Sequence, residues 1–152
     1  FNIKESVDEA LQILEQLLKQ EMVLVIREFE DVEVLGVSNE LTQVIINLLK
    51  NSIDAFVLNS VLIREISIKI RVDFDAAIIE VKDNAGGIKE KSIYKIFEPY
   101  FTTKHTSQGT GLGLFMSKMI CEQGLSGSLD VNSKKGTTTF RIKIPLEKNH
   151  AQ

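Results

Sequence analysis

Between Ile66 and Phe74 the chain alternates without interruption. Ile66, Ile68, Ile70, Val72 and Phe74 are apolar, while Ser67, Lys69, Arg71 and Asp73 are polar. A period of two marks a strand with one buried face, because a helix would scatter these residues around its axis. Such a strand needs neighbours to pair its backbone groups and a second layer to cover its apolar face. A turn near Asp75-Ala76 leads into a partner strand ending at Val81-Lys82. Leu129 and Val131, then Phe140, Ile142 and Ile144, mark two closing strands. Residues 22–27 and 32–35 read as further short strands joined near Glu30-Asp31.

The second layer is written at helical spacing. Ser6-Val-Asp-Glu9 has the form of a capping box, and Val7, Ala10, Leu11, Leu14, Leu17 and Leu18 follow, which predicts a helix over residues 5–19. A second helix, capped by Ser38 or Asn39, runs to about Asn59, and a third covers residues 114–123 and stops at Gly124. Residues 83–113 are rich in turn formers, with one short helical stretch near residues 89–96. A connection that long in a compact domain is usually functional or disordered. Paired strands with interspersed helices imply a mixed α/β sandwich whose single sheet is covered on one face.

Composition narrows the function classes. A chain of 152 residues, 43% apolar, suits one domain, assigned to residues 1–148 with a tail at 149–152. The net charge of −3 argues against a nucleic-acid partner that must coat phosphates. The single cysteine, Cys121, excludes an internal disulfide framework and reads as a small core residue. The apolar runs at residues 22–26 and 55–58 are far too short for direct membrane insertion.

Four segments carry chemistry. At about 100° per residue, Gln43, Asn47, Lys50, Asn51 and Asp54 fall in one stripe of the second helix. Leu41, Val44, Ile45, Leu48, Ser52 and Ala55 form the opposite, core-facing side. Asparagine is a poor helix former on a wet face, and its amide oxygen is a hard neutral ligand suited to Mg²⁺. The bland alternative is an amphipathic helix with incidental asparagines. Asp83-Asn-Ala-Gly-Gly87-Ile88 follows an apolar strand, so that Asp83 can accept from an exocyclic amine and the glycines admit a ligand close to the backbone. A plain Asp-Asn/Gly-Gly turn would look the same. Phe97, Tyr100 and Phe101 fall within one short stretch ending at Lys104, in a chain only 7% aromatic. They fit either a loop pinned to the core or a lid whose Lys104 meets a phosphate. Gly109-Thr110-Gly111-Leu112-Gly113-Leu114 opens a helix, where exposed N–H groups form an anion site. No strand precedes these glycines and no Gly-Lys-Ser/Thr follows, which disfavours a dinucleotide fold and a P-loop.

In this order the four segments resemble the ATP-binding catalytic domain of bacterial sensor histidine kinases, within the superfamily shared with gyrase, MutL and the large heat-shock chaperone. Residues 39–56 resemble the N box, 83–88 the first glycine box, 97–104 the F box and 109–114 the second glycine box. Residues 136–145 resemble the closing strand. The resemblance implies a two-layer α/β sandwich: a mixed, mostly antiparallel sheet of about five strands on about three helices, with a long ATP lid from about Phe97 to Gly109. It implies Asn51 as the Mg²⁺ ligand with Asn47 a second contact, and Asp83 on the adenine amino group. It implies that Gly87 and Ile88 form the turn lining the adenine pocket and that Phe97 and Thr138 are among the cofactor-binding residues. Gly109, Thr110, Gly111, Leu112, Gly113 and Leu114 form the phosphate cradle. Asn47, Asn51 and Lys104 are the residues implied in catalysis.

This chain also departs from the pattern. Ala85 stands where many members have glycine, and Asp54 and Ala55 stand where many have a basic residue and an aromatic. Asp54 faces the cofactor site but cannot grip phosphate, which leaves Lys50 or Lys104 for that task. The threonine run 137–139 is one residue longer than the common version.

The implied function is transfer of the ATP γ-phosphate to a histidine on a separate dimerisation domain, and onward to a response-regulator aspartate, in the cytoplasm. Neither His105 nor His150 sits in an acceptor setting, and residues 1–7 resemble the segment after the acceptor hairpin, so the acceptor is expected in a part of the protein cut away here. The rival readings are an ATPase-driven switch, a non-catalytic nucleotide-binding module, and a Ser/Thr kinase of the anti-sigma-factor type. The switch members place a glutamate where Asn47 stands, and an asparagine cannot act as a general base at neutral pH.

Overall fold

The computed structural model describes residues 1–101 and 111–146. Its strands are β1 (Val23–Phe29), β2 (Arg64–Asp73), β3 (Ala76–Asp83), β4 (Ser128–Lys134) and β5 (Thr137–Pro145). They form one sheet in the order β1-β2-β3-β5-β4. β1 and β2 are parallel and every other pairing is antiparallel. The helices are α1 (Ile3–Ile13), α2 (Glu15–Gln20), α3 (Ser38–Leu58) and α4 (Gly113–Met119), the last passing into a π-helical turn at Ile120–Gly124.

Parallel strands cannot be joined by a tight turn and need a crossover of a dozen residues or more. α3 supplies that crossover between β1 and β2. The short strand expected at residues 32–35 is not among the strands of the sheet. Having left the sheet, that segment pairs with the N-terminus. Ile3 N–H donates to the Val32 carbonyl and Val34 N–H to the Phe1 carbonyl, each at 3.0 Å, and Asn2 bridges Glu33. Val32 and Val34 are buried by this arrangement.

The alternation in β2 does bury one face. Ile66, Ile68 and Ile70 are sealed, but the strand ends at Asp73, and Phe74 stands in the turn at φ 56°, almost fully exposed. Side chains directly opposite each other in paired strands share a face, which sets up rows across the sheet. Ile68, Val81, Phe140 and Val131 make one row, and Ile70, Ile79, Ile142 and Leu129 the next. A third row, at the end of the sheet where β3 stops, reads Ile66, Asp83, Thr138 and Ser133. The apolar rows are core, and the polar row is the floor of the site described below.

α3 lies over this face, with α1 packed against it. Contact from both sides explains why Ile46, Leu49, Ile53 and Phe56 are buried in addition to the expected Leu41, Val44, Ile45 and Leu48. Among the described residues α3 is the one helix long and apolar enough to cross a membrane, and here it is the core helix.

The first helix begins earlier than Glu5 and is broken at Leu14. The Asn2 side chain, not Ser6, caps it, accepting from Lys4 N–H at 2.9 Å. Ser6 is buried and donates to the Ser38 carbonyl, which ties α1 to the first turn of α3. At the other end of the chain, the expected helix over residues 114–123 changes pitch at Ile120. Residues 89–96 form hydrogen-bonded turns and not a regular helix.

Gly127 lies flat against β5, and a Cβ there would overlap the Lys143 carbonyl oxygen. Gly127→Ala is expected to cost about 1–3 kcal/mol in chemical denaturation. By contrast, a methyl on Gly113 meets nothing within 4 Å. Gly113→Ala, at the start of a helix, should leave the ligand-free stability unchanged or raise it by up to about 1 kcal/mol.

Candidate functional site

The polar row includes Asp83, the last residue of β3, which is 5% exposed. A buried carboxylate must be paired or hydrogen-bonded. Its Oδ2 accepts from Ser52 Oγ of α3 at 2.6 Å, and its Oδ1 accepts from Ala85 N–H at 3.0 Å. Burial pushes the Asp83 carboxyl above its ordinary range, while the bonds from Ser52 and Ala85 pull the other way. Thr138, also buried, stands directly opposite Asp83 on β5. Side chains from α3 and β3 therefore meet at one buried polar point, with Thr138 of β5 beside it.

The turn after Asp83 is held from three sides. Asn84 accepts from Glu65 N–H at 2.9 Å and donates to the Ile63 carbonyl at 2.8 Å. Asn59, just beyond α3, donates to the Ala85 carbonyl at 2.6 Å. Ile88 N–H donates to Ser133 Oγ at 2.7 Å. Gly87 has φ 75°, and a Cβ there would come within 2.9 Å of Ser133 Oγ, so a glycine is required by both conformation and space. Ala85 is buried in the core and has no positive φ, so its methyl causes no strain of this kind.

The predicted stripe on α3 is real. Gln43 and Lys50 are exposed, and Asn47, Asn51 and Asp54 are half-buried. Asn47 faces α4: its Nδ2 donates to Ser117 Oγ at 3.1 Å and to the Gly113 carbonyl at 3.4 Å. Its Oδ1 accepts from Gln43 at 3.0 Å. The stripe is thereby joined to the first turn of the glycine-led helix. Leu112 precedes that helix, and Leu114 packs against the core.

Of the aromatic segment, Phe97 meets Phe140 edge-to-face at a centroid distance of 6.3 Å, with the Lys118 ammonium 4.9 Å from its own centroid. Phe97 and Phe101 pack against the core, whereas Tyr100 is exposed. Tyr100 N–H donates to the Gly111 carbonyl at 2.8 Å, so the two ends of the segment between them are held together. Lys104, Gly109 and Thr110 lie outside the described residues, as do His105 and His150. Cys121 is sealed in the core, where burial pushes its thiol up to about 12, in keeping with an inert packing residue.

Sequence reasoning missed Ser52, Asn59, Ser117 and Ser133 as site partners. Ser52 carried a readable signal, since a serine on the core-facing side of a helix must find a partner for its hydroxyl. The other three had none, because their partners are remote in sequence.

Known proteins share this fold. The family model described as histidine kinase-, DNA gyrase B- and HSP90-like ATPase matches residues 36–148. Sporulation kinase A of Bacillus subtilis is 33% identical over 95% of this chain, and sporulation kinase B of the same organism is 31% identical over 99%. The matched stretch is 23% of the first of these relatives and 34% of the second. The two-component sensor PprA of Pseudomonas aeruginosa is 38% identical over 73% of this chain, which is 12% of that protein. Among solved structures, the nucleotide-free catalytic domain of histidine kinase ThkA superposes with a TM-score of 0.82 at 28% identity, covering 95% of this chain and 93% of that one. The chain belongs to the histidine kinase-, gyrase B- and HSP90-like ATPase family, as a catalytic ATP-binding domain of the sensor histidine kinase type.

Proposed function

We propose that this domain binds Mg·ATP and presents the γ-phosphate to a histidine on a separate dimerisation domain of the same protein, in the cytoplasm, with the phosphoryl group passing on to a response regulator. The observation that carries the reading is the buried Asp83 carboxylate, held by Ser52 of α3 on one oxygen and by Ala85 N–H on the other. A buried carboxylate costs folding free energy, and a ligand that donates a hydrogen bond to it is a physical reason to keep it.

Each part of the chain has a role in this reading. Asp83 accepts the adenine 6-amino group, and Gly87, Ile88, Phe97 and Thr138 shape the space around the base. Asn51 and Asn47 offer neutral amide oxygens from one helix face. Among the described residues no three His, Cys, Asp or Glu side chains gather to hold a metal by themselves. An amide donor set of this kind suits Mg²⁺, which keeps several waters and is otherwise held by substrate phosphates. When bound, Mg²⁺ would supply neutralisation of the phosphate charge. The N–H groups at the start of α4, with Gly109, Thr110, Gly111, Leu112, Gly113 and Leu114, would hold the phosphates, and Lys50, Lys104 and Asp54 would line their exit. Phosphoryl transfer of this type depends on positioning and charge neutralisation more than on covalent chemistry.

The reading as a water-activating ATPase is weaker. It needs a general base where Asn47 stands, and Asn47 is neutral and already bonded to Gln43, Gly113 and Ser117. The partner reading draws on ThkA, a histidine kinase solved in complex with the response regulator TrrA, at 25% identity and covering 40% of that chain.

Calorimetric titration with a non-hydrolysable ATP analogue should show micromolar-to-millimolar affinity that strengthens with Mg²⁺, and the isolated domain should turn over negligible ATP. No heat and no thermal shift at millimolar nucleotide would sink the reading. Asn51→Ala should remove most of the Mg²⁺-dependent gain while leaving metal-free binding intact; an unchanged gain would show that the ligand assignment is wrong.

A second outcome concerns pH. Because burial raises the Asp83 carboxyl above its unfolded value, its cost to folding is absent below the ordinary carboxylate range. That cost grows as pH rises through the raised value. Asp83→Asn keeps the shape and removes the charge. Its ligand-free melting temperature should equal or exceed that of the wild type near neutral pH, and the difference should shrink as pH falls below about 4. Nucleotide binding should weaken about tenfold or more in the same variant.

A further inference from the structure

Ser52 is on the sheet-facing side of α3, 1% exposed and outside the asparagine stripe. A serine in a packed helix interior gives no apolar contact that alanine would not give, and its hydroxyl has to be satisfied. Here it is spent on one oxygen of Asp83, at 2.6 Å. The other oxygen is bonded to Ala85 N–H. A carboxylate bonded on both oxygens by donors from two elements has a fixed plane. Its remaining lone pairs point in set directions, and it needs no proton of its own to be satisfied.

We propose that Ser52 is a positioning residue for base recognition: it holds the Asp83 carboxylate as an oriented acceptor and so makes the pocket prefer a 6-amino purine to a 6-oxo purine. This rests on the reading of the pocket as a nucleotide site. The argument for specificity follows from the inventory of donors and acceptors. A 6-amino group brings a donor to an acceptor. A 6-oxo group brings oxygen to oxygen in a dry site, which leaves buried lone pairs unmatched and rejects that base. Removing the Ser52 hydroxyl leaves Oδ2 without its donor. The carboxyl can then rotate, or carry a proton and donate it to a 6-oxo group. Loss of the serine therefore lowers affinity for the amino base and also narrows the discrimination.

The test is calorimetry of Mg·ATP and Mg·ITP, which differ at the purine 6-position, on the 152-residue chain and its variants. Ser52→Ala is expected to weaken ATP roughly tenfold and to bring the ATP:ITP affinity ratio towards one. Ser52→Cys, close in volume and a weaker donor, should fall between the wild type and Ser52→Ala. In an Asp83→Asn background, Ser52→Ala should have no further effect on the ratio, because the group it acts through has changed. An equal loss for both nucleotides, or effects of the two substitutions that simply add, overturns the positioning role while leaving the nucleotide site standing. Wild-type protein that binds neither nucleotide overturns the site and the proposal together.

Discussion

The parallel pairing of β1 with β2 is the constraint on which the rest of this structure depends. It forces the chain to leave the sheet, cross its face and return, and α3 is the crossing element. One helix then has two jobs. Its buried sides complete the core against the sheet and α1, and its remaining stripe carries the half-buried Asn47, Asn51 and Asp54. Because the same backbone carries both, the position of the asparagines relative to Asp83 is set by core packing. The 2.6 Å bond from Ser52 to Asp83 is the point where the two jobs touch.

The sheet itself shows a division of labour along its strands. Two rows of side chains are almost wholly apolar and sealed, and the row at the end of β3 holds Asp83, Thr138 and Ser133. Placing a carboxylate there works against the fold, and the surrounding donors only partly offset that cost. Sites that must bind polar ligands commonly carry local features that a purely stable protein would avoid. Asp83 is a local feature of that kind.

Features recorded in local periodicity were legible in the sequence. The alternation in β2 and the wet stripe on α3 both report a boundary between solvent and core, and side-chain spacing alone encodes that boundary. The position of Asp83 at a strand end was legible for the same reason. Pairing between remote segments was not. Residues 32–35 have strand-like composition, but their partner is the N-terminus, and no local pattern names a partner. Ser6-Val-Asp-Glu9 satisfies a capping motif, yet Asn2 lies earlier and takes the cap, leaving Ser6 to bridge two helices. The pitch change at Ile120 is likewise invisible to a rule that counts residues between Leu114 and Gly124. The roles of Asn59 and Ser133 depend on closeness in space that only the folded chain supplies.

The bond from Tyr100 to Gly111 has a consequence for how such a domain can diverge. It closes the chain on itself at the base of the segment between those residues, next to the anchored Phe97 and Phe101. Gly111 has φ 74°, and a Cβ there would overlap the Tyr100 backbone. The clasp therefore tolerates glycine and little else on that side. A domain of this fold can drift at the exposed Tyr100 side chain, but exchanging Gly111 gives up the clasp itself.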